Sequence, residues 1–288
     1  MMFAKLLARD IRLGFVRLLP YYIGAVLSGA VLGFGAVALS KVAIGDAAAF
    51  TLGDIVAETF DHPVPIDWWR VMQGRPVSLS FEWVLPFALF FACTLDYPRQ
   101  DTFGVGAKSI ALSGSRWSWW LAKSAWCVAS SLLFWALFFF GIAFVAFMAG
   151  SNMTLEVTVE GLNVIRSDGS SILAADQELG AGANVGLFIV SIVGVTCCLQ
   201  LVQFSISMLV ERIPAYAVVM SYLLLSCMFQ HVLLLGNYLI TGRHKGLFLE
   251  GVPLNVGLSE CLVVAWLAVT IGGIFFSRQL LSGGGRNE

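Results

Sequence analysis

Charge is what this sequence has least of. Lys, Arg, Asp and Glu make up 12% of its 288 residues, about half the share of an average soluble domain. A chain so poor in charge lacks the polar surface of a soluble globular enzyme, and it lacks the basic face of a nucleic-acid binder. Histidine is scarcer still. His62, His231 and His244 form no HxxxH or HxH pair, so the usual metal-ligand spacing is missing. No GxSxG nucleophile turn occurs. Cys93, Cys127, Cys197, Cys198, Cys227 and Cys261 all fall within apolar runs. There they serve as small apolar fillers, not as loop disulfides or metal ligands. Gly104-Val105-Gly106-Ala107-Lys108-Ser109 imitates a phosphate-binding loop. It lacks the glycine before the lysine and the strand that must lead in. Any nucleotide chemistry therefore belongs to another chain.

What is present is apolar: 58% of residues are hydrophobic and the mean hydropathy is +0.84. The fold class this implies is an all-α integral membrane protein. The apolar runs predict six transmembrane helices in one domain, at about 19–40, 81–96, 124–149, 184–210, 214–240 and 259–277. Residues 1–18 predict a basic amphipathic helix lying in the interface. Lys5, Arg9 and Arg12 share one face, and Phe3, Leu7, Ile11, Gly14 and Leu18 share the other. Ala25, Gly29 and Gly33 form a small-residue ridge that lets another helix approach closely. Thr154 to Val159 alternates like a short strand.

Orientation follows from charge. The N-terminus, the stretch 99–123, the turn at Glu211-Arg212 and the C-terminus share one side. That side carries eleven cations against Asp10, Asp96, Asp101, Glu211 and Glu288, a net +6. The other side has six cations and thirteen acids, a net −7. The positive side is expected to be cytoplasmic, with both termini there, in a bacterial cell membrane. Arg243, His244 and Lys245 are the exception on the acidic side, expected against headgroups.

The stretch from Arg99 to Trp120 organises the chain. Arg99, Asp101, Lys108 and Arg116 make it too polar to cross a bilayer. Asp101 or Thr102 caps a short basic helix, Gly114 ends it, and Ser115 caps the next span. Arg116, Trp117, Trp119, Trp120 and Lys123 form a collar where the chain re-enters the membrane. A short basic helix held by two spans is a handle on which a soluble partner can push. Within the spans, Thr196, Gln200, Gln203 and Ser207 step by one helical turn along the fourth, and Gln230 lies on the fifth, one turn from Ser226. Such a stripe either lines a translocation path or bonds helices together.

In layout the chain resembles an ABC-2-type ABC transporter permease subunit. The matching local features are Arg99 and Asp101, Gly104 and Gly106, Gly114-Ser115-Arg116, and Lys123. The resemblance implies that the short helix is a cytoplasmic coupling helix between spans two and three. Arg99, Asp101, Thr102, Phe103, Lys108 and Arg116 would then contact an ABC ATP-binding subunit. It implies no cofactor in this chain, with ATP and Mg held on the partner. It also implies a second permease subunit, surrounding membrane lipid, and outward movement of an amphipathic cargo. The turn departs from the family in having Ser113-Gly114 where many members have proline, and no Glu-Arg pair opens the helix. The alternative is a non-transporting sensor or immunity protein that binds a ligand through its acidic loops.

Overall fold

The computed structural model describes residues 2–44, 50–61, 72, 81–95, 115–167, 180, 182–245, 247–248 and 251–282. Among these residues the chain is helical, with three isolated β-bridges and no strand. The alternation at 154–159 yields only one such bridge, Glu156 to Asn184.

Helix α1 (Met2–Arg17) runs into α2 (Leu19–Ile44) through a one-residue break at Leu18. Pro20 explains the break, because it has no N–H to give to the carbonyl four residues back. α3 (Leu52–Thr59) is a short, fully capped helix. α4 (Phe81–Leu95) precedes α5 (Arg116–Met148), which starts at the expected Ser115 cap; its hydroxyl accepts the Ser118 N–H at 3.3 Å. α6 (Val159–Ser167), α7 (Gly186–Leu209) and α8 (Arg212–Met228) follow. Two 3-10 turns, Leu235–Leu239 and Thr241–Arg243, lead to α9 (Leu254–Ser282).

Among the described residues, four helices are long and apolar enough to cross a membrane: Leu19–Val42, Arg116–Met148, Gly186–Leu209 and Leu254–Arg278. Glu82–Leu95 and Arg212–Met228 are shorter apolar helices. The fifth predicted span is thus helical only to Met228. Phe229 turns extended (φ −124°, ψ 128°) and the chain folds back on the bundle. Sequence hydropathy continues through Val232–Leu235, so the break after Met228 is invisible in it; Gly236 and Asn237 fall in the 3-10 turn that follows.

The ridge Ala25-Gly29-Gly33 packs within the chain, against α5. A side chain at Gly29 would drive its Cβ into the Phe138 carbonyl, and one at Gly141 would drive into the Val26 carbonyl. The two backbones therefore touch through glycines on both helices. Phe60, following α3, is fully buried and inserts among Phe87, Trp135, Phe138, Phe139 and Phe188, at centroid distances of 5.7–6.3 Å. Such aromatic pairs add to the energy of area burial. α3, α6 and the 3-10 turns thus cap one end of the bundle. α1 and the start of α5 form the other.

Candidate functional site

The α1 end is built around one ion pair. Lys123, two turns into α5, sets its Nζ 2.9 Å from Asp10 Oδ1 of α1, and the two side chains are 0% and 1% exposed. Arg9 Nη2 reaches the same oxygen at 3.0 Å. Lys123 also lies 5.4 Å from the Trp119 ring centre. The face of α1 turned to the bundle runs through Leu6, Asp10, Gly14 and Leu18, all buried. It is offset from the predicted apolar face, since Phe3 and Ile11 are exposed. Gly14 lets Trp126 of α5 lie directly against the helix backbone. The buried carboxylate and its lysine draw the helix round by about one residue.

The predicted collar is also turned inward. Trp119 stacks on Phe276 at 4.9 Å and Trp120 on Phe204 at 4.4 Å, and both indoles are buried. Trp120 Nε1 donates to the Val269 carbonyl at 2.8 Å. Trp117 alone of the three is exposed. Arg116 donates from Nη1 to the Ser277 carbonyl at 2.6 Å, tying the start of α5 to the end of α9. Of the predicted partner-contact residues, Arg116 is placed; Arg99, Asp101, Thr102, Phe103 and Lys108 lie outside the described residues.

The polar stripe of α7 lies inside the bundle. Thr196, Gln200, Gln203 and Ser207 are all buried. Ser131 of α5 donates to Gln200 Oε1. Gln203 Nε2 donates to the Phe91 carbonyl of α4 at 2.9 Å. Thr196 and Ser207 bond back to their own helix. Gln230 is exposed and lies past the end of α8. In this conformation the stripe therefore binds α4, α5 and α7 together, and the five residues do not converge on one open path. Gln200 Nε2 and Gln203 Oε1 keep no partner among the described residues, which leaves hydrogen-bonding capacity for another arrangement of these helices.

At the capped end, sequence reasoning misses two buried titratable side chains. Arg243 and His244, expected against headgroups, are 1% and 0% exposed. Arg243 donates to the carbonyls of Ser226 (2.7 Å) and Cys227 (3.0 Å), and to Asn237 Oδ1. Those carbonyls belong to the last turn of α8, where acceptors lack helical partners and a cation meets the helix dipole favourably. Burial lowers the Arg243 guanidinium to about 10. His244 Nε2 lies 3.0 Å from Ser191 Oγ, with Phe188 edge-on at 5.4 Å, and burial pushes its imidazole down to about 4. Asp54, from the acidic segment, is fully buried. It accepts from Thr51 N (3.0 Å), Thr158 N (2.8 Å) and Thr158 Oγ1 (2.9 Å), linking α3 to the start of α6. Burial raises its carboxyl, against those hydrogen bonds.

His244 makes a pH prediction. Its folded value lies below the ordinary 6.5, so the unfolded cap binds the proton more readily. The neutral imidazole is stable above 6.5, and stability is lost as pH falls from 6.5 towards about 4. The loss reaches roughly 3 kcal/mol. Amide protection at 235–244, taken relative to the intrinsic exchange rate at each pH, should fall over that window in the native chain and not in His244→Gln.

No group of three His, Cys, Asp or Glu able to hold a metal occurs among the described residues. No protein-family model, no curated protein and no solved structure matches the chain.

Proposed function

We propose that the chain is the membrane-spanning subunit of an ATP-driven exporter of the ABC-2 type, moving an amphipathic cargo outward. The observation that carries this reading is the welded end of the bundle. The Lys123–Asp10 pair joins α1 to α5, and Arg116 joins α5 to α9. A force applied to the basic stretch at 99–114 would thus reach three helices together. That is the mechanical need of a coupling element, because closure of a separate ATP-binding subunit does work only if its contacts differ between two states of the spans. The fold-back between α8 and α9 also agrees with a final extracellular segment ahead of the last span.

On this reading the α1 end faces the cytoplasm, both termini lie there, and the membrane is the bacterial plasma membrane. Arg99, Asp101, Thr102, Phe103, Lys108 and Arg116 form the ATPase contact. ATP and Mg reside on that partner. A second permease subunit, identical or related, completes the path. The α7 stripe is closed here and opens only if α4, α5 and α7 separate. Asp54, an acid of the first acidic segment, is taken up by internal hydrogen bonds, which leaves less for a ligand-sensing role.

Purification of the tagged chain in mild detergent tests the proposal. An ATP-binding subunit should co-purify, and Phe103→Asp or Lys108→Glu should release it while the chain itself stays folded. Retention of both assembly and transport in these variants would refute the contact.

A further inference from the structure

A cleft of about 460 Å³ opens between α7, α8 and α9 beside the fold-back. Leu199, Val202, Val219, Leu235 and Val263 are among the aliphatic residues of its walls, and one acid, Glu260, lies among them. Glu260 Oε2 is buried and has no hydrogen-bond partner among the described residues. The rim is fixed in place. Tyr222 Oη accepts the Leu235 N–H at 2.9 Å and donates to the Leu233 carbonyl at 3.2 Å. Ser259 Oγ is committed to the Val256 carbonyl at 2.7 Å. The polar groups of the rim are therefore in use, and the carboxylate is the group left to answer a ligand.

We infer that this cleft binds a single-chain lipophilic monoamine, its hydrocarbon body between α7, α8 and α9 and its ammonium on Glu260. Charge complementarity selects the cation. Glu260 is partly exposed, but its Oε2 lies against aliphatic walls where it loses hydration, and an ammonium within hydrogen-bond reach answers it through a charge-assisted bond. Among the described residues the walls contain no second acid, so one positive charge is matched and two are not. Volume selects the size. The cleft accommodates a drug-sized body and only a fraction of a two-chain phospholipid. His231 lies within electrostatic reach of Glu260 and is itself exposed, so it competes weakly for the carboxylate. The inference goes beyond the transport reading: binding is measured on the purified chain, so its outcome is separate from whether an ATPase partner exists.

The test uses the full chain in phosphatidylcholine nanodiscs and a dodecylamine carrying a diazirine on its alkyl chain. Photolabelling should map to peptides containing Tyr222 and Val263, and unlabelled dodecylamine should compete. Glu260→Gln, which keeps shape and removes charge, should weaken labelling tenfold or more. Val263→Trp, at a position 57% exposed, should block the mouth and abolish labelling without disturbing the core. The matching diazirine alcohol should label at least tenfold less. Equal labelling by the alcohol, or unchanged labelling in Glu260→Gln, would mean an apolar groove filled by any acyl chain, and would overturn the proposal. So would labelling confined to other helices.

Discussion

Asp10→Leu is expected to cost about 4 kcal/mol, within the range for breaking a buried ion pair from one side. The substitution strips the carboxylate from Lys123, whose side chain is fully buried. It leaves an ammonium inside the protein, with the Trp119 ring face 5.4 Å away. Lys123→Met should cost less, about 3 kcal/mol. Arg9 still reaches Asp10 at 3.0 Å and is 21% exposed, so the stranded carboxylate keeps a hydrated cation. The order of the two single variants is therefore part of the expectation. The double variant Asp10→Leu, Lys123→Met should recover most of the loss, because an apolar pair of similar volume replaces the charges. Thermal unfolding in a mild detergent gives the three values, and protease access to 2–18 reports whether α1 has left α5. Equal stability of both single variants and the wild type would mean the pair carries nothing.

Arg243→Met is the second large effect, about 3 kcal/mol or more, since three buried acceptors lose their donor together. Ser226 O and Cys227 O sit at the end of α8, and Asn237 Oδ1 sits in the returning segment. Methionine preserves much of the stem's packing, so the loss isolates the guanidinium. Asn237 Nδ2 also donates to the Phe229 (3.1 Å) and His231 (2.9 Å) carbonyls. A freed Asn237 therefore loosens the whole turn. Arg243→Lys should not rescue, because a point ammonium cannot reproduce a planar fork that serves acceptors on two segments. Hydrogen exchange should rise across 226–243 and stay unchanged in α2. Rescue by lysine would show that charge alone suffices there.

These two charges mark where sequence reading stops. The helices are legible because apolar runs and caps are local: the neighbours of Ser115 alone mark it as a cap, and it caps α5. The glycine ridge is legible as a contact, but its partner on α5 is not. Lys123 reads as an interfacial collar residue and Arg243 as a headgroup contact, since a lone cation in a sequence looks solvated. Their partners lie 113 residues away and at the end of a preceding helix. No periodicity encodes either pairing. The hidden signal is Asp10, an acid placed on an otherwise basic helix at the four-residue spacing of Leu6, Gly14 and Leu18. The fold-back after Met228 escapes for the opposite reason. Its residues are as apolar as a span, and burial against Trp83, whose Nε1 donates to the Leu239 carbonyl at 3.0 Å, holds them without a helix.

The direct test of the exporter reading is a photo-crosslinking residue at position 108 in native membranes, with position 144 as control, since Phe144 is exposed on the apolar surface of α5. An ATP-binding subunit carrying a phosphate-binding loop should be captured from 108 and not from 144. Saturating crosslinking from 108 that yields only lipid or this chain itself would contradict the account.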